Sequence, residues 1–411
     1  MLNSKTAQTI RCKLCSQLGH SSEECPIARK FYKYSPKIGY SFSGSSPPEI
    51  FVGRYGYPNV FAGILAPSEY GETERYSMPE IWFRQGFSIQ DIMACRSRLI
   101  YSRFIVNVKR IQSESNRNFE IMQEMALSSK HVDASFELEK KPSNGLITSS
   151  FWPIIGNPAL LKQVRLESNP KVERKVESLV NDYDVKATHA IEELYRAGIK
   201  VSTIIKILSA GLLGLKRQRK LVPSRWATTA TDDIISKLLL EKIKGYPQIN
   251  NFLLFNSEYL GNHYEILLLP SSWSFEVIEA KMPECVWNRG QELFMASDFE
   301  GFNGRKSYAS AVTGAYYANR IAVAEYLEKR KRQAACLVLR EVRPEYNFPC
   351  GVGILREATR AAFEKKPETF SSLEEALERA QSRLRLPIQA FIKRSKLINQ
   401  FKQPKLTDFF S

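Results

Sequence analysis

Four residues near the start constrain the first thirty positions more than anything else in the chain. Cys12, Cys15, His20 and Cys25 are spaced C-x2-C-x4-H-x4-C. A segment this short cannot bury a core of its own. Three thiolates and one imidazole so close together can instead surround a single Zn²⁺ tetrahedrally. Two residues between the first cysteines let both sulfurs reach one ion from a tight turn, and Gly19 lets the backbone bend at His20. The spacing is that of a zinc knuckle, a module that grips single-stranded nucleic acid. Leu14 and Leu18 stand where such modules often carry stacking aromatics, so a metal that only staples the segment is an open alternative. The other cysteines are scattered, and seven is an odd number. No disulfide framework is visible, and a reducing compartment is expected.

The remainder of the 411 residues is rich enough in apolar side chains, at 43%, to exclude a disordered chain. No run of about 18 apolar residues is free of charge, so no membrane partner is expected. Lys5 and Arg11 lead into the Cys/His segment rather than an apolar run, so no secretory leader is expected. Lys and Arg number 59 against 43 Asp and Glu, a formal charge of +16. That excess favours a polyanion, most simply nucleic acid.

The C-terminus carries a second short pattern. Gln403, Leu406, Phe409 and Phe410 fit Q-x-x-h-x-x-a-a, the peptide that binds sliding clamps (PCNA). Offsets of three place Gln403, Leu406 and Phe409 on one side of a 3₁₀ turn. Leu406 and the two rings then form an apolar plug, with Lys393, Arg394, Lys396, Lys402 and Lys405 around it. Residues 391–411 are expected to form a flexible basic tail.

Between the ends, residues 31–390 read as a mixed α+β body, with a sub-boundary expected near 140–150. Strands are expected at 50–52, 60–65, 104–108, 131–138, 251–255, 264–269, 275–280 and 334–341. Helices are expected at 89–101, 112–128, 170–180, 186–197, 202–213, 232–243, 307–330, 354–365 and 373–384. An antiparallel hairpin is expected over 264–280, and 41–48 reads as a Ser/Gly/Pro loop.

Three segments of the body could hold phosphate. Lys216, Arg217, Arg219, Lys220 and Arg225 precede Trp226 and the hydroxyls of Thr228, Thr229 and Thr231. The cations can neutralise phosphates and the indole can stack on a base. Arg305 and Lys306 follow a glycine-rich stretch that opens a helix. The turn 53–58, with Arg54, offers exposed amides. A metal-dependent nuclease is the alternative. Glu279 and Lys281 form a strand-borne E-x-K, and Asp298 and Glu300 could complete a two-metal site for Mg²⁺ or Mn²⁺. His131, His189 and His263 have no triad-like context.

Taken together, these pieces resemble the archaeal Nre family of DNA-repair proteins. Matching stretches run from Phe51 to Phe61, from Val222 to Asp232, and over Gly304–Ala309 with Gly314–Ala318. The resemblance covers most of the chain. It implies an archaeal, cytoplasmic protein that aids DNA-damage repair and is recruited by the sliding clamp. It places no catalytic residue.

Overall fold

The computed structural model describes residues 25–109, 116–288 and 290–403. Two compact units are present: Met1–Ile235 with Phe348–Gly353, and Ser236–Asn347 with Ile354–Ser411. Residues 140–150 lie inside the first.

The first unit begins with α1 (Pro26–Tyr32), β1 (Ser41–Ser46), β2 (Glu49–Val52) and β3 (Asn59–Ala66). Next come α2 (Pro79–Arg84), α3 (Ile89–Arg98), β4 (Ile100–Asn107), α4 (Arg117–Leu127) and β5 (Val132–Leu138). The short β6 (Leu146–Ile147) and β7 (Ile155–Gly156) precede β8 (Pro158–Leu166). Helices α5 (Arg174–Asn181), α6 (Ala187–Arg196) and α7 (Val201–Ser209) lead to α8 (Ser224–Ile243), whose residues from Ser236 belong to the second unit. The main sheet has the order β1-β5-β8-β4-β3-β2, with only the β4–β8 pair parallel. Helices α4 and α7 lie against one face. There Ile50, Val52, Val60, Ala62, Ile64, Phe104 and Val106 bury their side chains with Met122 and Met125. Alternation along a strand sends Phe61 and Ile105 to the opposite face.

The segment 41–48 departs from the loop expected of it, since Ser41–Ser46 pairs antiparallel with β5 as an edge strand. Its small residues reflect crowding. A Cβ on Gly44 would lie 2.3 Å from the Pro67 carbonyl oxygen and 2.7 Å from that of Glu69.

The second unit contains β9 (Phe252–Tyr259), β10 (Asn262–Leu269), β11 (Ser274–Lys281), β12 (Phe294–Glu300), α9 (Gly314–Arg330) and β13 (Ala335–Val342). It ends with α10 (Gly353–Glu364), β14 (Glu368–Phe370), α11 (Leu373–Gln381), α12 (Ile388–Ile392) and α13 (Lys396–Lys402). Its sheet has the order β12-β11-β13-β10-β9-β14. The expected hairpin over 264–280 is therefore not formed. Strand β13 inserts between β10 and β11, antiparallel to the first and parallel to the second. All three central strands are almost wholly buried, and burial on both faces carries no local signal of which neighbour a strand pairs with. Leu254, Leu267, Ile278, Leu337 and Leu339 pack with Leu377, Phe391, Leu397 and Ile398 from the last helices, so 391–402, expected as part of a flexible tail, are instead held on the sheet by their apolar side chains.

Two helix starts also moved. The helix expected from Ser307 begins at Gly314, because Asp298 binds the amides of Ala311 and Val312 and holds 301–313 as a loop. The helix expected from Asp232 begins at Ser224 and takes in Arg225, Trp226 and the threonines. Among the described residues no helix is long and apolar enough to cross a membrane.

Candidate nucleic-acid interface

The turn joining β2 to β3 sits at an edge of the first unit's sheet. The Gly53 amide donates to the Phe61 carbonyl at 2.8 Å, and the Asn59 amide to that of Gly56 at 2.9 Å. Gly56 has φ of 81°, a backbone region that glycine adopts without a Cβ penalty. The closed turn pushes its side chains outward. Tyr55 is 80% exposed and Tyr57 is 40% exposed. The Arg54 guanidinium lies 4.9 Å from the Tyr55 ring centroid.

The start of α8 comes to the same place. The Val52 amide donates to Ser224 Oγ at 3.0 Å, and Ser209 Oγ lies 3.1 Å from the same oxygen. These buried bonds fix the helix start against the strand edge. Two residues on, Trp226 is 45% exposed, with its ring centroid 5.7 Å from that of Tyr57. Arg225 lies 4.1 Å over the Phe151 ring. Two candidate segments that are far apart in sequence are thus one surface. On the sheet beside it, Phe61 pairs with Ile105, which is 64% exposed, and Arg103 lies 4.1 Å over the Phe61 ring. No carboxylate is present from Ile50 to Ser68, from Ile92 to Ser113, or from Leu194 to Thr231. The surface is therefore built from chain that carries cations only, as a polyanion requires.

The members of the basic cluster have different roles. Lys216, Arg217 and Lys220 are exposed. Arg219 is turned inward: it donates to the carbonyls of Gly214, Val180 and Asp182 at 2.8, 2.6 and 2.7 Å. Its ring neighbour is Tyr183, at 4.5 Å. Burial lowers the pKa of its guanidinium. Thr228 and Thr229 bond back to the carbonyls of Ser224 and Arg225 within the helix, and Thr231 is buried. The hydroxyl hydrogens of Thr228 and Thr229 are thus spent within the helix rather than offered to a phosphate.

In the second unit, Glu279, Asp298 and Glu300 share one face of the β11–β12 ladder, where Glu279 is opposite Ala296 and Asp298 opposite Val277. Glu279 and Glu300 are four ladder positions apart, roughly 13 Å at about 3.3 Å per residue. Each acid already has a cation. Glu279 pairs with Arg340 and, at 3.1 Å, with Lys281. Asp298 pairs with Arg305 at 3.0 Å, and Glu300 with Arg320 at 2.7 Å. Arg305 donates further to the carbonyls of Phe299, Ser307 and Tyr308, so it holds the loop. Lys306 is exposed. Among the described residues, no group of three His, Cys, Asp or Glu is placed to hold a metal ion.

Of the zinc ligands, Cys12, Cys15 and His20 lie outside the described residues. Cys25 is buried at the start of α1, beside Ala28, Ile27, Tyr32 and Leu146. Of the clamp peptide, Leu406, Phe409 and Phe410 lie outside the described residues. Gln403 caps α13, its backbone N–H donating to the Gln400 carbonyl. His131, His189 and His263 each lie beside glutamates: Glu74, Glu192, and Glu258 with Glu265. Sequence reasoning singled out the 53–58 turn for its amides and missed Tyr55 and Tyr57. The signal was available as a Tyr-x-Tyr in an acid-free turn.

A family profile described as "Archaeal Nre, N-terminal" matches residues 20–288, and one described as "Archaeal Nre, C-terminal" matches residues 300–409. A protein named DNA repair protein NreB, from Archaeoglobus fulgidus, is 38% identical over 403 residues, covering 97% of this chain and 99% of its own. DNA repair protein NreA of the same organism is 34% identical, covering 92% and 94%. DNA repair protein NreA of Haloferax volcanii is 37% identical, covering 81% of each. No solved structure gives a significant match.

Proposed function

The chain belongs to the archaeal Nre family, and from that membership we propose that it is a DNA-damage repair factor. In this reading it binds DNA through its first unit and reaches the sliding clamp (PCNA) through Gln403, Leu406, Phe409 and Phe410. The observation that carries the DNA contact is the meeting of Tyr57 and Trp226, flanked by Arg54 and Arg225 on acid-free chain. Arginine supplies the phosphate contacts that give affinity, with exposed Lys216, Arg217 and Lys220 nearby in sequence. A clamp encircles DNA, so a bound tail raises the local concentration of the body without new chemistry.

Zinc belongs to the same reading. Cys12, Cys15, His20 and Cys25 would hold it, and a buried Cys25 would join the knuckle to α1. The metal would supply folding free energy to a segment without a core. The nuclease alternative has less support, because its carboxylates are engaged by Arg340, Arg305 and Arg320.

The test uses the purified full chain. Titration against the clamp should give saturable binding that Phe409→Ala with Phe410→Ala abolishes. With Mg²⁺ or Mn²⁺ present, DNA should be bound and left uncut. Cleavage that Glu279→Ala removes would establish the nuclease instead. Stoichiometric zinc in the wild type, lost in Cys12→Ser, is the expected metal analysis.

A further inference from the structure

We propose that Tyr55, Tyr57 and Trp226 stack on unpaired bases, so that the preferred ligand of the first unit is single-stranded or gapped DNA. This deepens the DNA-binding reading and rests on it. Three large rings project to solvent from one turn and one helix start. Isolated exposed aromatics are ordinary, but Tyr57 and Trp226 meet, with Tyr55 two residues away on the same turn, and a buried bond from the Val52 amide to Ser224 Oγ holds the turn's strand to the helix start. Among the other exposed tyrosines of the unit, Tyr70 is bonded to Glu167 at 2.8 Å, and Tyr34, Tyr40 and Tyr183 each have a cation over the ring. Around Tyr55, Tyr57 and Trp226 the local chain supplies no carboxylate and two arginines.

The ring geometry suits bases rather than self-association of the rings. Tyr57 and Trp226 are inclined at 53°, so they do not cover each other's faces as a parallel stack would. Arg54 lies against the Tyr55 ring and Arg225 over Phe151, which puts cations beside the rings where a sugar-phosphate backbone would run. Base-on-aromatic stacking with flanking cations is how sequence-tolerant single-strand sites work. In an intact duplex the base faces are stacked on one another and cannot reach a flat ring. Duplex would meet only the arginines. The open sheet beside the turn, with Phe61, Arg103 and Ile105, continues the surface in the same chemistry.

The experiment measures anisotropy of labelled DNA with the full chain, using one sequence as single strand, as duplex and as duplex with a central gap. The wild type should bind the single strand and the gapped duplex more tightly than the intact duplex. Trp226→Ala should weaken single-strand binding about tenfold, with Trp226→Phe restoring most of it, and should leave the duplex unchanged. Tyr55→Ala, at a ring that packs against no core, should act in the same direction and guards against a misfolded Trp226→Ala. Arg54→Glu with Arg225→Glu should weaken single strand and duplex alike. If the arginine variant weakens both and the aromatic variants weaken neither, DNA binding stands and base stacking is overturned. Wild-type protein that binds none of the three DNAs overturns both. Tighter binding of an equal-length RNA overturns the assignment to DNA.

Discussion

The Glu276 carboxylate, on buried β11, accepts a hydrogen bond from Ser395 Oγ at 2.6 Å. It also accepts from the amides of Lys396 and Leu397, both at 3.0 Å, while Ser395 Oγ accepts from the Ile398 amide. One strand residue thus caps the last described helix and satisfies donors that a helix start leaves open. Gln403, first residue of the clamp-type pattern, ends that same helix. Glu276→Ala strands these buried donors and should cost about 1–3 kcal/mol. Trypsin should then cut faster at Lys393, Lys396 and Lys402 than in the wild type, read by mass spectrometry. Equal cleavage rates would show that the cap does not hold the helix.

The buried carboxylates of β11 and β12 make a second prediction. Glu300 accepts from Arg320 and, at 3.3 Å, from Trp273 Nε1. Removing one partner of a buried ion pair typically costs about 3–5 kcal/mol. Glu300→Ala should therefore lower the denaturant midpoint strongly, whereas Mg²⁺ and Mn²⁺ should leave the wild-type melting temperature unchanged. A rise in melting temperature with either ion, lost in Glu300→Ala, would mean that these acids hold metal after all.

Lys206, on α7, is buried in the first unit and near Glu49, and burial lowers its pKa from the ordinary 10.5. The sign follows from proton counting. Between its folded value and 10.5, the unfolded chain holds a proton that the folded chain has released. Stability attributable to Lys206 therefore rises with pH across that window. Comparing wild type with Lys206→Met by urea unfolding at pH 7 and pH 9.5 isolates this group. The wild type should gain stability relative to the variant at the higher pH. A constant difference would mean that the amine keeps its ordinary pKa.

Local pattern carried most element positions, as β3 and α6 illustrate: expected at 60–65 and 186–197, they lie at Asn59–Ala66 and Ala187–Arg196. Pairing was not legible. Strand β13 enters its sheet between β10 and β11 from far along the chain, and burial on both faces does not encode a strand's neighbours. The same is true of the candidate interface. Arg54 and Trp226 each stood out by type, but their meeting depends on Ser224 reaching Val52, a long-range contact. Ser41–Ser46 was misread because its composition answers to crowding at Gly44 rather than to strand propensity. Charge type alone also failed to separate Arg219 from its neighbours.

That separation gives the last prediction. Arg219 spends its three donor nitrogens on the carbonyls of Gly214, Val180 and Asp182, while Arg217 and Lys220 are exposed. Arg219→Ala removes acceptor-matched donors from a half-buried site, and should lower the melting temperature. Arg217→Glu and Lys220→Glu should leave it nearly unchanged. On DNA the order reverses for electrostatics: each lost phosphate contact reduces the magnitude of the log–log salt slope of binding by about 1. The slope should therefore fall in Arg217→Glu with Lys220→Glu, and should hold in Arg219→Gln, because a guanidinium spent on three carbonyls neutralises no phosphate. If Arg219→Gln lowers the slope by about 1, Arg219 contacts phosphate, and its inward position is not the one it takes on DNA.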